Sequence, residues 1–188
     1  MIKIYMTSLN FSSIDLYRPY FSQYRKERLQ KIKNPLHFAQ AEAAEALLCY
    51  GAAKLGFSLP LNINVRKGGK PYAKNLNFSI SHSGDKVLLA LSDTEIGADI
   101  QKINYSQNLA VAKKILTPAE MEGVDTYTFF RYFTMKESYF KMTGEGLPLS
   151  QKPFNSFEKC FFKTWEKDGY MISVCQKREI TADIEFVQ

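Results

Sequence analysis

Cysteine is scarce in this chain: Cys49, Cys160 and Cys175 are all there is, and no two of them have metal-ligand spacing. An odd, scattered set argues against a disulfide framework and a cysteine zinc site, so the three read as small buried residues. Long apolar runs are missing too, and nothing approaches the roughly 20 residues that a membrane-crossing helix needs. Met1-Ile-Lys-Ile-Tyr5 runs directly into a strand-like alternation rather than a secretory leader, so the expectation is a cytoplasmic protein without membrane attachment. There is no low-complexity tract and no flexible linker. Gly68-Gly-Lys-Pro71 is a tight turn without P-loop spacing, and no serine or cysteine stands with a base in a pattern that suggests covalent catalysis. Acidic residues are the minority among the charges, 19 against 25 lysines and arginines, for a formal net charge of +6. That asymmetry suggests an anionic partner, and leaves open nucleic acid, a phosphorylated small molecule or an acidic protein.

What is present is enough to fold. At 188 residues, with 45% hydrophobic and 14% aromatic, the chain can bury a core in one domain or two small ones. Alternation predicts a strand over residues 2–9, and Phe21 to Ile32 reads as a short helix carrying the densest basic run, Arg25, Lys26, Arg28, Lys31 and Lys33. Such a run is equally a solvated helix face or a binding surface. The Ala-rich stretch from Leu36 to Leu55 predicts a longer helix ended by Gly56. Strands are expected over 62–66, 76–81, 87–91 and 95–101, the last two pairing as an antiparallel hairpin across a turn at Asp93-Thr94. In the second half Ser106 to Leu116 reads as helical, and Thr117-Pro-Ala-Glu120 has the form of a capping box. A long helix is expected from Thr126 to Thr143, stopped by Gly144, then strands over 157–165 and 169–174 around the turn Lys167-Asp-Gly169, and an edge strand over 184–187. The picture is two similar halves, 1–93 and 94–188, meeting near Ser92 to Glu95.

Polar groups at apolar positions mark where chemistry is to be sought. Asp99 stands in Ile96-Gly-Ala-Asp-Ile100, where its neighbours suggest a core strand, and Gln101 shares its face. A carboxylate and an amide oxygen can contribute to a Mg²⁺ site, while a turn cap or a salt bridge explains a lone strand aspartate as well. Glu137 and Lys141 lie four apart on the long helix. They form either a surface pair worth about 0.2–0.5 kcal/mol or part of a site, and the surrounding Phe129, Phe130, Tyr132, Phe133, Tyr139 and Phe140 weaken the surface reading. His82, in Ser81-His-Ser-Gly84, follows a buried-looking strand where small residues let the backbone approach a ligand.

Taken in order, Gly69-Lys-Pro71, Phe78-Ser-Ile-Ser-His-Ser-Gly84, Ile96-Gly-Ala-Asp-Ile100, Lys136-Glu-Ser138 with Lys141, and Gly144-Glu-Gly-Leu147 resemble the signature of the 4′-phosphopantetheinyl transferases. The likeness is to the two-lobed, Sfp-type members and covers residues 66–157 closely and the basic helix loosely. It implies an α+β fold of two pseudo-twofold-related lobes, each a small antiparallel sheet packed with helices, with coenzyme A in the cleft between them. The implied enzyme is a transferase that moves the phosphopantetheine arm of coenzyme A onto a serine of an apo acyl or peptidyl carrier protein and releases adenosine 3′,5′-bisphosphate. That chemistry belongs to fatty acid, polyketide or nonribosomal peptide biosynthesis rather than lysine biosynthesis. By the same resemblance Asp99 and Glu137, with Gln101, would hold Mg²⁺, and Lys141 would touch the same phosphate. Ser81 and His82 would meet the pyrophosphate, Lys70 and Pro71 the adenine end, and Arg25 and Arg28 the 3′-phosphate. Glu137, directly or through water, would be the base for the carrier serine, with Glu120 as second candidate beside its capping role.

Four positions depart from the family pattern: Gln101 replaces a second strand acid, Phe133 a usual Trp, and His37 and Gln40 an acid and an Arg. Gln101 is the feature that favours an alternative, a binding module for coenzyme A and carrier protein that has lost turnover. A nucleic-acid partner is not expected, because the aromatics cluster on the long helix instead of interleaving with basic residues on strands. A monomer is expected, since a two-lobed chain contains its own cleft.

Overall fold

Val87-Leu-Leu-Ala-Leu91 has no polar residue on either face, and a strand of that kind must be covered twice. In the computed structural model, which describes residues 1–66, 68–106, 109–144 and 160–188, both covers are present. Strand β5 (Lys86–Ser92) lies inside a four-stranded sheet of order β4-β5-β1-β9, with β1 (Ile2–Ser8), β4 (Asn77–Ser83) and β9 (Ile184–Phe186). Val87, Leu89 and Leu91 face helix α3 (Pro35–Lys54), meeting Ala43, Ala44, Leu47 and Leu48. Leu88 and Ala90 face the other way. They pack with Ile4 and Met6 against Ile96, Ala98, Ile100, Ile172 and Val174 of a second sheet. That sheet has the order β6-β8-β7, from β6 (Ile96–Lys102), β7 (Phe161–Lys167) and β8 (Tyr170–Gln176). Its far face is covered by helix α5 (Thr126–Thr143), where Phe129, Phe130, Leu116 and Met171 form a third cluster. The result is a mixed α+β arrangement of helix, sheet, sheet and helix.

Short elements complete it. Helix α1 (Ile14–Tyr17), one turn of 3-10 helix at Arg18–Tyr20 and α2 (Gln23–Leu29) precede α3. Strands β2 (Ile63–Val65) and β3 (Pro71–Ala73) pair as a separate antiparallel ribbon. Helix α4 (Pro118–Met121) carries the expected capping box in full, with Thr117 and Glu120 bonded reciprocally. Gly144 ends α5 in the left-handed conformation at φ 77°, as expected of a helix stop. Asp168 and Gly169, at φ 53° and 76°, make the β7–β8 hairpin turn.

Some expectations are corrected. Residues 87–91 and 95–101 do not pair as a hairpin: both edges of β5 are occupied, by β4 and by β1, so β6 starts the other sheet instead. The hairpin partner of β5 is β4, from Asn77↔Ser92 to Ser83↔Lys86. The helical segment expected over 106–116 is described as a 3-10 helix at Leu109–Lys114. Positions 145–147 of the Gly144-Glu-Gly-Leu147 motif, and 157–159 of the strand expected before β7, lie outside the described residues. The edge strand expected at 184–187 is β9, and it pairs in parallel with β1, so the second half of the chain lends a strand to the sheet of the first.

One glycine sets how closely α5 sits on the sheet. A Cβ at Gly97 would overlap the carbonyl oxygen of Ser138 and crowd the backbone nitrogen of Met142, neither of which can turn aside as a side chain can. Gly97→Ala is therefore expected to lower the urea unfolding free energy by about 1–3 kcal/mol or more, the range for overpacked cores. An unchanged midpoint would mean that α5 does not lie on β6 in this way.

Candidate active site

Among the described residues strand β6 is paired on one edge only, by β8, and its other edge would leave backbone donors unmet. The alternation in Phe78-Ser-Ile-Ser-His-Ser83 answers this. Phe78 and Ile80 join the core under α3, while the serines at every second place turn to β6. Ser79 Oγ accepts from Ala98 N at 2.9 Å and Ser83 Oγ accepts from Lys102 N at 3.0 Å. Between them Ser81 Oγ donates to Asp99 Oδ1 at 2.6 Å. Hydroxyls thus stitch two sheets together where a strand pairing is absent.

Asp99 is 1% exposed. Besides Ser81 it accepts from Lys141 Nζ at 2.6 Å, on Oδ1, and from Gln101 Nε2 at 3.1 Å, on Oδ2. Lys141 Nζ also donates to Ser81 Oγ at 2.8 Å. The close approach allowed by Gly97 brings α5 within reach, so Glu137 and Lys141, one turn apart, both arrive beside Asp99. Burial first, and then the Asp99 charge, push the Glu137 carboxyl above its ordinary value, with Lys141 pulling partly back. Two carboxylates and an amide converging in this way form a donor set for a hard cation. Among the described residues no third His, Cys, Asp or Glu joins them, so such a cation would complete its oxygen shell from water or a bound phosphate.

In front of Asp99 opens a cleft of about 400 Å³. It lies between α2 and α3 on one side and α5 with the 68–71 loop on the other, and Arg25, Arg28, Lys70, His82, Glu137 and Lys141 line it together with Pro71. Arg25 is held by a buried acid that was not picked out from the sequence: Glu45, 2% exposed, takes Arg25 Nε at 3.2 Å and the backbone N–H and hydroxyl of Ser22, the N-cap of α2. The signal was there, since Glu45 is flanked at helical spacing by Ala41, Leu48 and Cys49, an acid on an apolar face. Arg28 stacks on Tyr24 at 5.4 Å, and Tyr24 is a further lining residue that sequence reasoning passed over, while Phe140, one of the aromatics noted around Glu137, also lines the cleft. His82 stands exposed at the mouth. Burial of its inner side and the nearby Lys141 and Arg25 charges hold its imidazole below the usual value, which leaves it neutral at pH 7 with one N–H to donate.

Other expected residues are placed differently. Lys70 lines the cleft with its stem, but its ammonium turns to Ile96 O and Met142 O, at 2.9 Å each, tying the 68–71 loop to β6 and to the end of α5. Burial, with some help from Arg66, pulls its pKa down to about 8. Glu120 is not in the cleft lining: it accepts from Thr117 N at 2.8 Å and from the buried Lys136 Nζ at 2.7 Å. His37 is exposed, and Gln40 is buried and donates to Gly84 O.

The 4′-phosphopantetheinyl transferase superfamily model matches residues 95–186. A 4′-phosphopantetheinyl transferase of Bacillus subtilis is 30% identical over 159 residues, 69% of this chain and 67% of that protein. The transferase Sfp of Bacillus subtilis strain 168 is 30% identical over 141 residues, 61% and 62% of the two chains. A mouse L-aminoadipate-semialdehyde dehydrogenase-phosphopantetheinyl transferase is 32% identical over 92 residues, 41% of this chain and 29% of that one. The chain spans about two thirds of the length of the bacterial relatives it matches.

The raised Glu137 pKa has a signed consequence. From the ordinary carboxylate value up to the raised one, the folded state binds more proton than the unfolded state, so stability falls as pH rises through that interval and stays lower above it. Glu137→Gln, which cannot ionise, is expected to melt higher than the parent at pH 7–8, with the advantage gone below about pH 4. A variant that melts lower at neutral pH would show that the carboxylate is not under strain there.

Proposed function

This chain belongs to the 4′-phosphopantetheinyl transferase superfamily, and from that membership we propose that it moves the phosphopantetheine arm of coenzyme A to a serine of an apo acyl or peptidyl carrier protein. The observation that carries the reading is the cleft itself, where Arg25, Arg28, His82, Glu137 and Lys141 converge in front of the Ser81–Asp99 pair. Coenzyme A brings a 3′-phosphate and a pyrophosphate, and a groove whose charged lining residues are four cations, Arg25, Arg28, Lys70 and Lys141, against the acids Glu45 and Glu137 suits it. In this reading Arg25 and Arg28 grip the 3′-phosphate, and Pro71 and the stem of Lys70 border the adenine. Lys141 and the neutral His82 N–H take the pyrophosphate, with Ser81 behind them. The lobes are 1–93 and 94–188, and the acceptor is a carrier whose acidic surface complements the basic chain. The protein acts as a monomer in the cytoplasm.

The serine oxygen bonds to the phosphorus that bears the pantetheine arm, the bond from that phosphorus to the pyrophosphate bridging oxygen breaks, and adenosine 3′,5′-bisphosphate leaves. The serine proton goes to Glu137, whose raised pKa brings it nearer to working pH. Glu120, bound to Lys136 and to the start of α4, serves the reaction by holding those elements in place. Asp99, Glu137 and the Gln101 amide oxygen are the groups that would hold Mg²⁺. Bound there, Mg²⁺ would neutralise charge on the transferring and leaving phosphates. The observation favouring the binding-module alternative is that Gln101 presents its N–H to Asp99 where an acid is usual.

Mass spectrometry of an apo carrier protein incubated with this protein, coenzyme A and Mg²⁺ is expected to show the gain of one phosphopantetheine, abolished by a chelator. Coenzyme A binding without any gain across several carriers would favour the binding module. For the groove assignment, Arg25→Ala and Arg28→Ala are expected to raise the KM for coenzyme A about tenfold or more, as for loss of a charged hydrogen bond, and to leave the KM for 3′-dephospho-coenzyme A unchanged. Equal effects on both substrates would place the arginines elsewhere.

A further inference from the structure

Both carboxylate oxygens of Asp99 already have donors: Ser81 Oγ and Lys141 Nζ on Oδ1, Gln101 Nε2 on Oδ2. A divalent cation needs those same oxygens. Of the three donors, Lys141 alone combines a positive charge with somewhere to go. Ser81 is fixed on β4 and Gln101 is short and neutral, whereas the Lys141 side chain keeps 32% exposure, lines the cleft and has a four-carbon stem on which to swing. Arg25 and Arg28 line the same cleft, so an anion they attract would offer the ammonium a partner away from Asp99.

We infer that Lys141 is a built-in counter-ion, standing at Asp99 in place of the divalent cation until a diphosphate ester in the cleft offers its ammonium another partner. The inference rests on the transferase reading for the identity of those two ligands. In the resting protein the ammonium and a metal ion compete for Oδ1, so the metal binds weakly by itself. Once phosphate oxygens hold Lys141, the carboxylate is released, and the two ligands favour each other by more than their direct contact supplies. Because such coupling is reciprocal, the metal raises affinity for the diphosphate by the same factor. Lys141 here is a positioning residue for the metal as well as a phosphate ligand, and it orders the assembly of the site.

The test titrates Mn²⁺, with no nucleotide present, into the wild-type protein and into Lys141→Met, Lys141→Gln and Lys141→Arg, reading free Mn²⁺ by electron paramagnetic resonance. The two neutral variants are expected to bind at least tenfold more tightly than wild type, and Lys141→Arg, which keeps the charge, as weakly as wild type or more so. Melting curves give a second readout. The neutral variants should melt below wild type without metal, since Asp99 has lost its cation, and should gain more from Mn²⁺ than wild type does. Affinities in the neutral variants equal to or below wild type would overturn the proposal, as would tight binding by Lys141→Arg or no retention of Mn²⁺ by any form even with coenzyme A. If the neutral variants do not fold, the Arg variant and the wild-type coupling decide: coenzyme A that fails to tighten Mn²⁺ binding overturns it. Transfer to carrier protein is scored separately on the wild type. Its absence alongside a clear variant effect sinks the transferase reading alone, and its presence with equal Mn²⁺ affinities sinks the counter-ion alone.

Discussion

A carboxylate buried to 1% exposure must be compensated on the spot, and in this protein the compensation for Asp99 draws in three separate elements. Ser81 comes from β4, Gln101 from β6 itself and Lys141 from α5. The requirement shapes everything around it. α5 must lie against β6, which demands Gly97, and β4 must run beside the open edge of β6, which the serine hydroxyls make tolerable. The cleft is what remains in front of this junction, so the same buried charge that ties the layers together also fixes where an incoming ligand meets acids and cations.

Much of this was legible in the residues because it is local. Capping at Thr117 and Glu120, the stop at Gly144, the turn at Asp168-Gly169 and the long helices depend on near neighbours in sequence, and the structure has them as expected. The ordered motifs pointed to one site, and the cleft takes lining residues from four of the five, while Asp99 of the fifth is bonded to the cleft residue Lys141. What was not legible is long-range. Glu137 and Lys141 look like a pair because they are four apart, yet the ammonium is bonded to Asp99, 42 positions away. Lys70 reads as a ligand for something in the cleft, but two carbonyls from β6 and α5 claim its ammonium. The false hairpin between β5 and β6 has the same origin: adjacency in sequence says nothing about whether a strand's edges are already taken. Glu45 is the opposite case, a readable signal in an Ala-rich helix that only gains meaning once Arg25 is seen beside it.

The cations of the cleft differ in how firmly they are held. Arg25 is braced by Glu45, and Lys70 is fully engaged, whereas Arg28 rests on the face of Tyr24 and Lys141 is partly exposed. A wall of this kind has a stiff part that sets its shape and a loose part that can follow a ligand, which is how a site can be selective in outline and still close around its occupant.

The parallel pairing of β9 with β1 bears on how the chain reaches this state. Ile4 faces Ile184 in the register, and Thr7 Oγ1 donates to Val187 O. On a ribosome β1 emerges early, while its neighbours follow far later, first β5 and then β9. Before β5 is made β1 has both edges bare, and from then until β9 arrives the sheet beneath α3 stays open on one side. Contacts spanning so much of the chain close late and slowly. Until β9 is made, a nascent chain therefore carries an apolar strand with a bare edge, which exposes β1 to unwanted pairing of the kind chaperones suppress.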